Sequence, residues 1–134
     1  ELSIPKLGLA APVQSPASAA DADIMASLKK GVVLYPGSDA PGGSGTTVIV
    51  GHSSSSLPWN EYSAVFANLG SLQANDLVYL TNGGQEHIYR VTTVRRGSVQ
   101  DILNSGMTGD LILSTCWPVG TDTNRVAVAA VLVR

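Results

Sequence analysis

The 134 residues contain one cysteine, Cys116, so no intrachain disulfide forms and the redox compartment leaves no mark on the chain. Charge is scarce as well: 13% of residues are charged, the net charge is -2, and no basic cluster occurs. That removes the electrostatic case for a nucleic-acid partner. The pairs Lys29-Lys30 and Arg95-Arg96 are isolated and read as solvated surface. No run reaches the roughly 18–20 apolar residues that span a bilayer. With Leu2-Ser3-Ile4-Pro5 following one glutamate, no signal peptide is expected within these residues. Histidine is limited to His52 and His87, and neither has close ligand spacing to Cys116. The aspartates Asp21, Asp23, Asp101 and Asp110 are scattered, so neither a metal nor another cofactor is expected.

What is present is apolar and turn-rich: 44% hydrophobic residues and 14 glycines. Such a chain is globular, and its length suits one domain over residues 1–134 with a single core. Short β-rich runs recur between glycine and proline punctuation. They cover Thr46 to Val50, Leu77 to Thr81, His87 to Arg95, Asp110 to Thr115 and Val126 to Val133. Asn82-Gly83-Gly84 predicts a hairpin turn, because those residues accept positive φ cheaply. Residues 126–133 are apolar on both parities, as in a central strand buried on both sides. Helical signal is thin. Ala22 to Lys30 carries Ile24 and Leu28 at i, i+4 with Asp21 or Asp23 as N-cap. Glu61 to Leu69 and Val99 to Asn104 suggest further short helices or turns, and Gly37 to Gly45 and Ser53 to Ser56 read as loops. The pattern predicts an all-β fold with a few short helices, its sheet either closed on itself or folded double.

The chemistry-bearing residues sit at strand ends. Cys116 follows the run Asp110 to Thr115, and Arg125 opens the run Val126 to Val133. So short a connection predicts an antiparallel hairpin, which sets Cys116 beside Arg125 at one rim. The run Thr46 to Gly51 ends on His52. A thiol, an imidazole and a guanidinium at strand tips are the parts of a cysteine acyl-transfer site. His87, just past a hairpin turn, reads instead as an ordinary exposed strand position. Trp117, next to the thiol, reads equally as a core lid or a substrate platform. The Tyr35-Pro36-Gly37 turn borders the expected groove, and Asn124 is either an orienting partner or a turn former.

The segment Ile112-Leu113-Ser114-Thr115-Cys116, with Arg125 nine positions later, resembles the active-site segment of sortases, surface transpeptidases of mainly Gram-positive bacteria. The family pattern is Thr-Leu-x-Thr-Cys followed by an arginine; here Ile112 replaces the first threonine. Val48-Ile49-Val50-Gly51-His52-Ser53 resembles the histidine segment. Ile4-Pro5-Lys6-Leu7 and Ala11-Pro12-Val13 resemble the first strands, and Gly31 to Ser38 the approach to the histidine strand. Together with the strand-and-turn rhythm, the resemblance implies a closed or nearly closed β-barrel of about seven or eight strands with a few short helices. It implies catalysis by Cys116, His52 and Arg125, and a Thr115 whose hydroxyl or backbone helps shape the site; Trp117, Tyr35 and Asn124 are the expected substrate-binding residues beside it. It implies cleavage of a C-terminal sorting motif resembling Leu-Pro-x-Thr-Gly through a Cys116 thioester. The acyl group then passes to an amine of a peptidoglycan precursor or a pilin lysine, at the extracellular face of the cell membrane. The resemblance implies membrane contact only through an N-terminal anchor, which is not expected among these 134 residues. The rival readings are a cysteine peptidase or amidase that releases the acyl group to water, and a non-catalytic peptide-binding barrel.

Overall fold

The computed structural model describes residues 1–18, 20–43, 45–52, 66, 68–97, 108–116 and 125–133, with His52, Cys116 and Arg125 placed by their backbone. Among the described residues nine strands form one sheet: β1 (Leu2–Ile4), β2 (Leu9–Ala11), β3 (Val13–Gln14), β4 (Val32–Leu34), β5 (Thr47–His52), β6 (Leu77–Asn82), β7 (Gln85–Gly97), β8 (Leu111–Cys116) and β9 (Arg125–Leu132). One α-helix, α1 (Asp21–Leu28), and two short 3-10 turns, Pro5–Leu7 and Leu69–Ser71, complete the described elements. Of the helix or turn expected over Glu61 to Leu69, positions 61–65 and 67 lie outside the described residues, and Leu69 opens the second 3-10 turn; the elements expected over Val99 to Asn104 and Ser53 to Ser56, with Trp117 and Asn124, also lie outside them.

The strand order is β2-β1-β6-β7-β9-β8-β5-β4-β3. Its two terminal strands, β2 and β3, are separated along the chain by Pro12 alone. One residue cannot cross a flat sheet of nine strands at about 4.8 Å spacing, so the sheet must curl until its edges nearly meet. Proline suits that corner because it has no N–H to leave unpaired. Its carbonyl accepts the Val32 N–H at 3.0 Å, tying β3 to β4. Gly31 makes the approach possible: at φ 152°, any side chain there would strike the Pro12 carbonyl. The count of nine exceeds the expected seven or eight because Pro12 divides Ala11-Pro12-Val13 into two very short strands.

The turn at Gly83 (φ 59°) and Gly84 (φ 81°) joins β6 to β7, with Asn82 opposite Gln85. Two consecutive positive φ values make it a type I′ turn, whose twist matches the flanking strands. β9 lies mid-sheet, and Val126 to Ala130 are all buried. The barrel interior is filled by Leu2, Ile4, Ile49, Phe66, Val78, Leu80, Tyr89, Val91, Leu111, Leu113, Val126 and Val128, among others. Outside it, Ile24 and Leu28 of α1 pack on Val33 and Val50. The helix cap differs from expectation. Ala20 is the N-cap residue, and no side chain caps it. Asp23 lies within the first turn, where its carboxylate accepts the Ser18 hydroxyl at 2.6 Å.

Candidate active site

Alternation along each strand assigns residues to the two faces of the sheet. On β8, Leu111 and Leu113 belong to the interior cluster, whereas Ile112 and Ser114 are half-buried. On β5, Ile49 is interior, and Val50 packs under α1 outside the barrel. On β9, Val126, Val128 and Ala130 are interior. Cys116, His52 and Arg125 therefore occupy outer-face positions on three neighbouring strands.

They also fall in one row. β5 and β8 are parallel, and His52 is the register partner of Cys116. Neighbouring strands lie about 4.8 Å apart, so the two backbones are adjacent. β8 and β9 are antiparallel, with Ser114 opposite Ala127. Counting on two residues brings β8 to its last residue, Cys116, and β9 to its first, Arg125. Across β9, Arg125 is the partner of Gly97 on β7. The row thus reads His52, Cys116, Arg125, Gly97.

Two buried features shape this end. Thr115 is 3% exposed, and its Oγ1 accepts the Val126 N–H at 3.0 Å. That bond ties the residue before Cys116 to the residue after Arg125. Gly51, next to His52, faces the interior, where a methyl group would come within 2.9 Å of the Phe66 ring. A larger residue would lever the end of β5 away from the core. Sequence reasoning passed over Gly51, although a residue without a side chain beside a candidate histidine was the available signal.

The other candidates divide. Tyr35 is 42% exposed, and its N–H donates to the Val48 carbonyl at 2.8 Å. Val48 lies four residues before His52, about 13 Å back along β5, so Tyr35 is not brought to the row. His87 is the partner of Leu80, at the start of β7, whereas Gly97 ends that strand. Those two positions are on the order of 30 Å apart. The His87 ring lies over Gly42 (φ 81°), and the Gly42 N–H donates to the Tyr89 hydroxyl at 3.1 Å. His87 thus packs against the Gly37 to Gly45 loop at the end of β7 remote from Arg125. Among the described residues no group of three or more His, Cys, Asp or Glu side chains could hold a metal ion.

Solved structures share this architecture. The chain is similar to sortase C-1 of Actinomyces oris, with 24% identity and a TM-score of 0.75, covering 99% of this chain and 72% of that one. It is similar to sortase C of Streptococcus pneumoniae, also at 24% identity and a TM-score of 0.75, covering 99% and 67%. A lid mutant of sortase A from Corynebacterium diphtheriae gives 25% identity and a TM-score of 0.74, covering 99% and 68%. No curated protein matches. The barrel defines a sortase-like fold, and the family model for the sortase domain matches residues 2–133. The chain belongs to the sortase family, whose members are cell-surface enzymes of transpeptidase type.

Proposed function

We propose that this chain is a cysteine transpeptidase in which Cys116 is the nucleophile, His52 the proton carrier and Arg125 the donor to the reacting carbonyl. One observation carries the reading: His52 and Cys116 are register partners on neighbouring strands, at the same level as the first residue of β9. Family membership supplies the reaction class.

The Cys116 thiolate attacks the scissile carbonyl carbon. An adjacent imidazolium or guanidinium favours the thiolate over the thiol. The carbonyl oxygen becomes an oxyanion, and the planar fork of Arg125 donates hydrogen bonds to it. As the C–N bond breaks, His52 gives its proton to the departing amine, leaving a thioester. An incoming amine then attacks the thioester and passes a proton to His52 as the C–S bond breaks. Trp117 and Asn124 border the groove in this reading, and the buried Thr115 shapes it from beneath through its hydroxyl tie to Val126.

The donor is the sorting signal of a surface protein, resembling Leu-Pro-x-Thr-Gly. The acceptor is an amine of a peptidoglycan precursor or a pilin lysine. The sortase C structure from Streptococcus pneumoniae is described in terms of pilin substrate specificity, which supports the pilin alternative for the relative's fold. The working place is the extracellular face of the cell membrane.

The test is incubation with a library of such peptides, with and without a panel of amines, read by mass spectrometry. A Cys116 thioester should appear, and amine should divert product from free acid to amide while raising turnover. Cys116→Ala should give no thioester, and His52→Ala should be about as severe. His87→Ala should match the unmodified protein. Thioester formation with amine changing neither rate nor product would make the chain a cysteine hydrolase. An unreactive Cys116 would leave a peptide-binding barrel.

A further inference from the structure

The consecutive cations Arg95 and Arg96 have different fates in the fold. Arg96 is bound: its guanidinium donates to the Gly70 carbonyl at 2.7 Å and packs over that glycine. Arg95 is exposed, and its guanidinium makes no hydrogen bond or ion pair to the described residues.

A β-bulge decides which arginine lies on which face. In β7, Tyr89 and Val91 belong to the interior cluster. Strict alternation would turn residues 93 and 95 inward as well. The register shifts between Val91 and Thr93, from Val91 opposite Ala130 to Thr93 opposite Ala129. Thr92 is the extra residue, and its hydroxyl donates to the Ala129 carbonyl at 3.2 Å. Beyond it the parity is reversed, so that Val94 packs against the interior cluster. Arg95, opposite Ala127, thereby falls on the outer face, which carries Ser114, Cys116 and Arg125. Bulges re-aim side chains in this way beside functional sites.

Arg95 lies one row from the candidate catalytic row. Gly97 is opposite Arg125, so Arg95 and Arg125 are diagonal neighbours across β7 and β9. Such positions are about 7–8 Å apart, within reach of long side chains. Two guanidinium-bearing residues this close repel unless an anion lies between or beside them. The residue directly opposite Arg125 is a glycine, which adds no side chain to that space.

We propose that Arg95 is a specificity-determining residue that binds an acidic side chain of the acyl-donor peptide. This rests on the catalytic reading of Cys116 and Arg125. If Arg125 holds the reacting carbonyl, a carboxylate on Arg95 belongs to a residue within about three positions of the scissile bond, at about 3.3 Å per extended residue. A guanidinium binds a carboxylate through two parallel N–H donors, a geometry that lysine does not reproduce.

The test uses donor peptides carrying Asp or Glu in turn at each of the three positions on either side of the scissile bond, with Asn or Gln counterparts. Thioester formation is read on the otherwise unmodified protein and on Arg95→Gln, and peptide binding by fluorescence anisotropy on the Cys116→Ala protein with and without Arg95→Gln. The expected result is a preference for the acidic peptide at one position that falls about tenfold in Arg95→Gln, in both thioester rate and binding. Arg95→Glu should invert it in favour of a lysine peptide at that position. A discrimination between acidic peptides and their Asn or Gln counterparts that Arg95→Gln leaves unchanged at every position, with thioesters still forming, overturns the role of Arg95 and leaves the transpeptidase reading standing. Absence of both thioester and binding for every peptide overturns both.

Discussion

The two ends of the β5–β8–β9 unit are built differently. At the end where β5 and β8 begin, polar groups are consumed in holding strands together. Asp110 donates its N–H to the Ala130 carbonyl and accepts the Thr47 N–H on its own carbonyl, each at 2.9 Å. Its carboxylate accepts the Leu132 N–H at 2.7 Å, and the Thr46 hydroxyl donates to the Gly109 carbonyl at 2.8 Å. At the other end, the three strands stop or start on His52, Cys116 and Arg125, and the buried tie is the Thr115 hydroxyl on the Val126 N–H. Parallel pairing of β5 with β8 puts both strand beginnings at one end and both strand tips at the other. Structural bonding and reactive groups can therefore be mutated apart.

The largest expected effect falls on the reactive end. Cys116→Ala should abolish thioester formation while the unfolding midpoint in denaturant moves little; a cooperative loss of fold would erase the distinction between the ends. Next is Arg125→Lys, which keeps the charge and loses the fork. The thioester rate should fall about 100-fold, as when one oxyanion donor is removed. Near-normal rates would assign that residue a purely electrostatic role.

The opposite end should answer in stability. Asp110→Ala leaves the partly buried Leu132 N–H without its acceptor and should cost roughly 1–3 kcal/mol in urea unfolding. Thioester chemistry per folded molecule should stay near normal, and a loss as deep as that of Arg125→Lys would show that the two ends are coupled.

The smallest effect lies outside both ends. Asp76 accepts the Lys6 ammonium at 2.9 Å and the Gln73 N–H at 2.6 Å. The Lys6 hydrogen bond, then that of Gln73, hold its carboxyl below the usual carboxylate range. A depressed carboxyl stabilises the fold above the ordinary carboxylate value, and that stability is lost as pH falls through the folded value. Lys6→Met should therefore cost roughly 0.2–1 kcal/mol at neutral pH, for a pair this exposed. The difference should disappear in acid. A penalty that persists at low pH would mean that the lysine stem, not its charge, is what matters.

Much of the fold was legible because local rules decide it. The strands at 77–82, 85–97, 111–116 and 125–132 follow β-branched and alternating runs. Two glycines with positive φ make the 83–84 turn, and Ile24 and Leu28 mark the buried stripe of the helix. Less was legible where several residues compete for one task. Asp23 had the chemistry of a cap but was taken by Ser18, and Pro12 split one expected strand into the two edges of a curled sheet. Of the candidate site, the strand-end positions of His52, Cys116 and Arg125 could be read from pattern. So could the hairpin that sets Cys116 beside Arg125, whereas the parallel register that brings His52 to Cys116 could not.

Local sequence alone determined where the chain runs extended, where it turns, and which residue types stand at the strand tips, because φ/ψ preference and side-chain period act over a few residues. Tertiary structure alone decided that β5 pairs in parallel with β8, so that His52 meets Cys116 in register. It alone decided that a bulge at Thr92 carries Arg95 to the outer face. The physical reason is that register is chosen by burial across strands more than sixty residues apart. A shift of one residue costs nothing locally, yet it moves every later side chain to the opposite face.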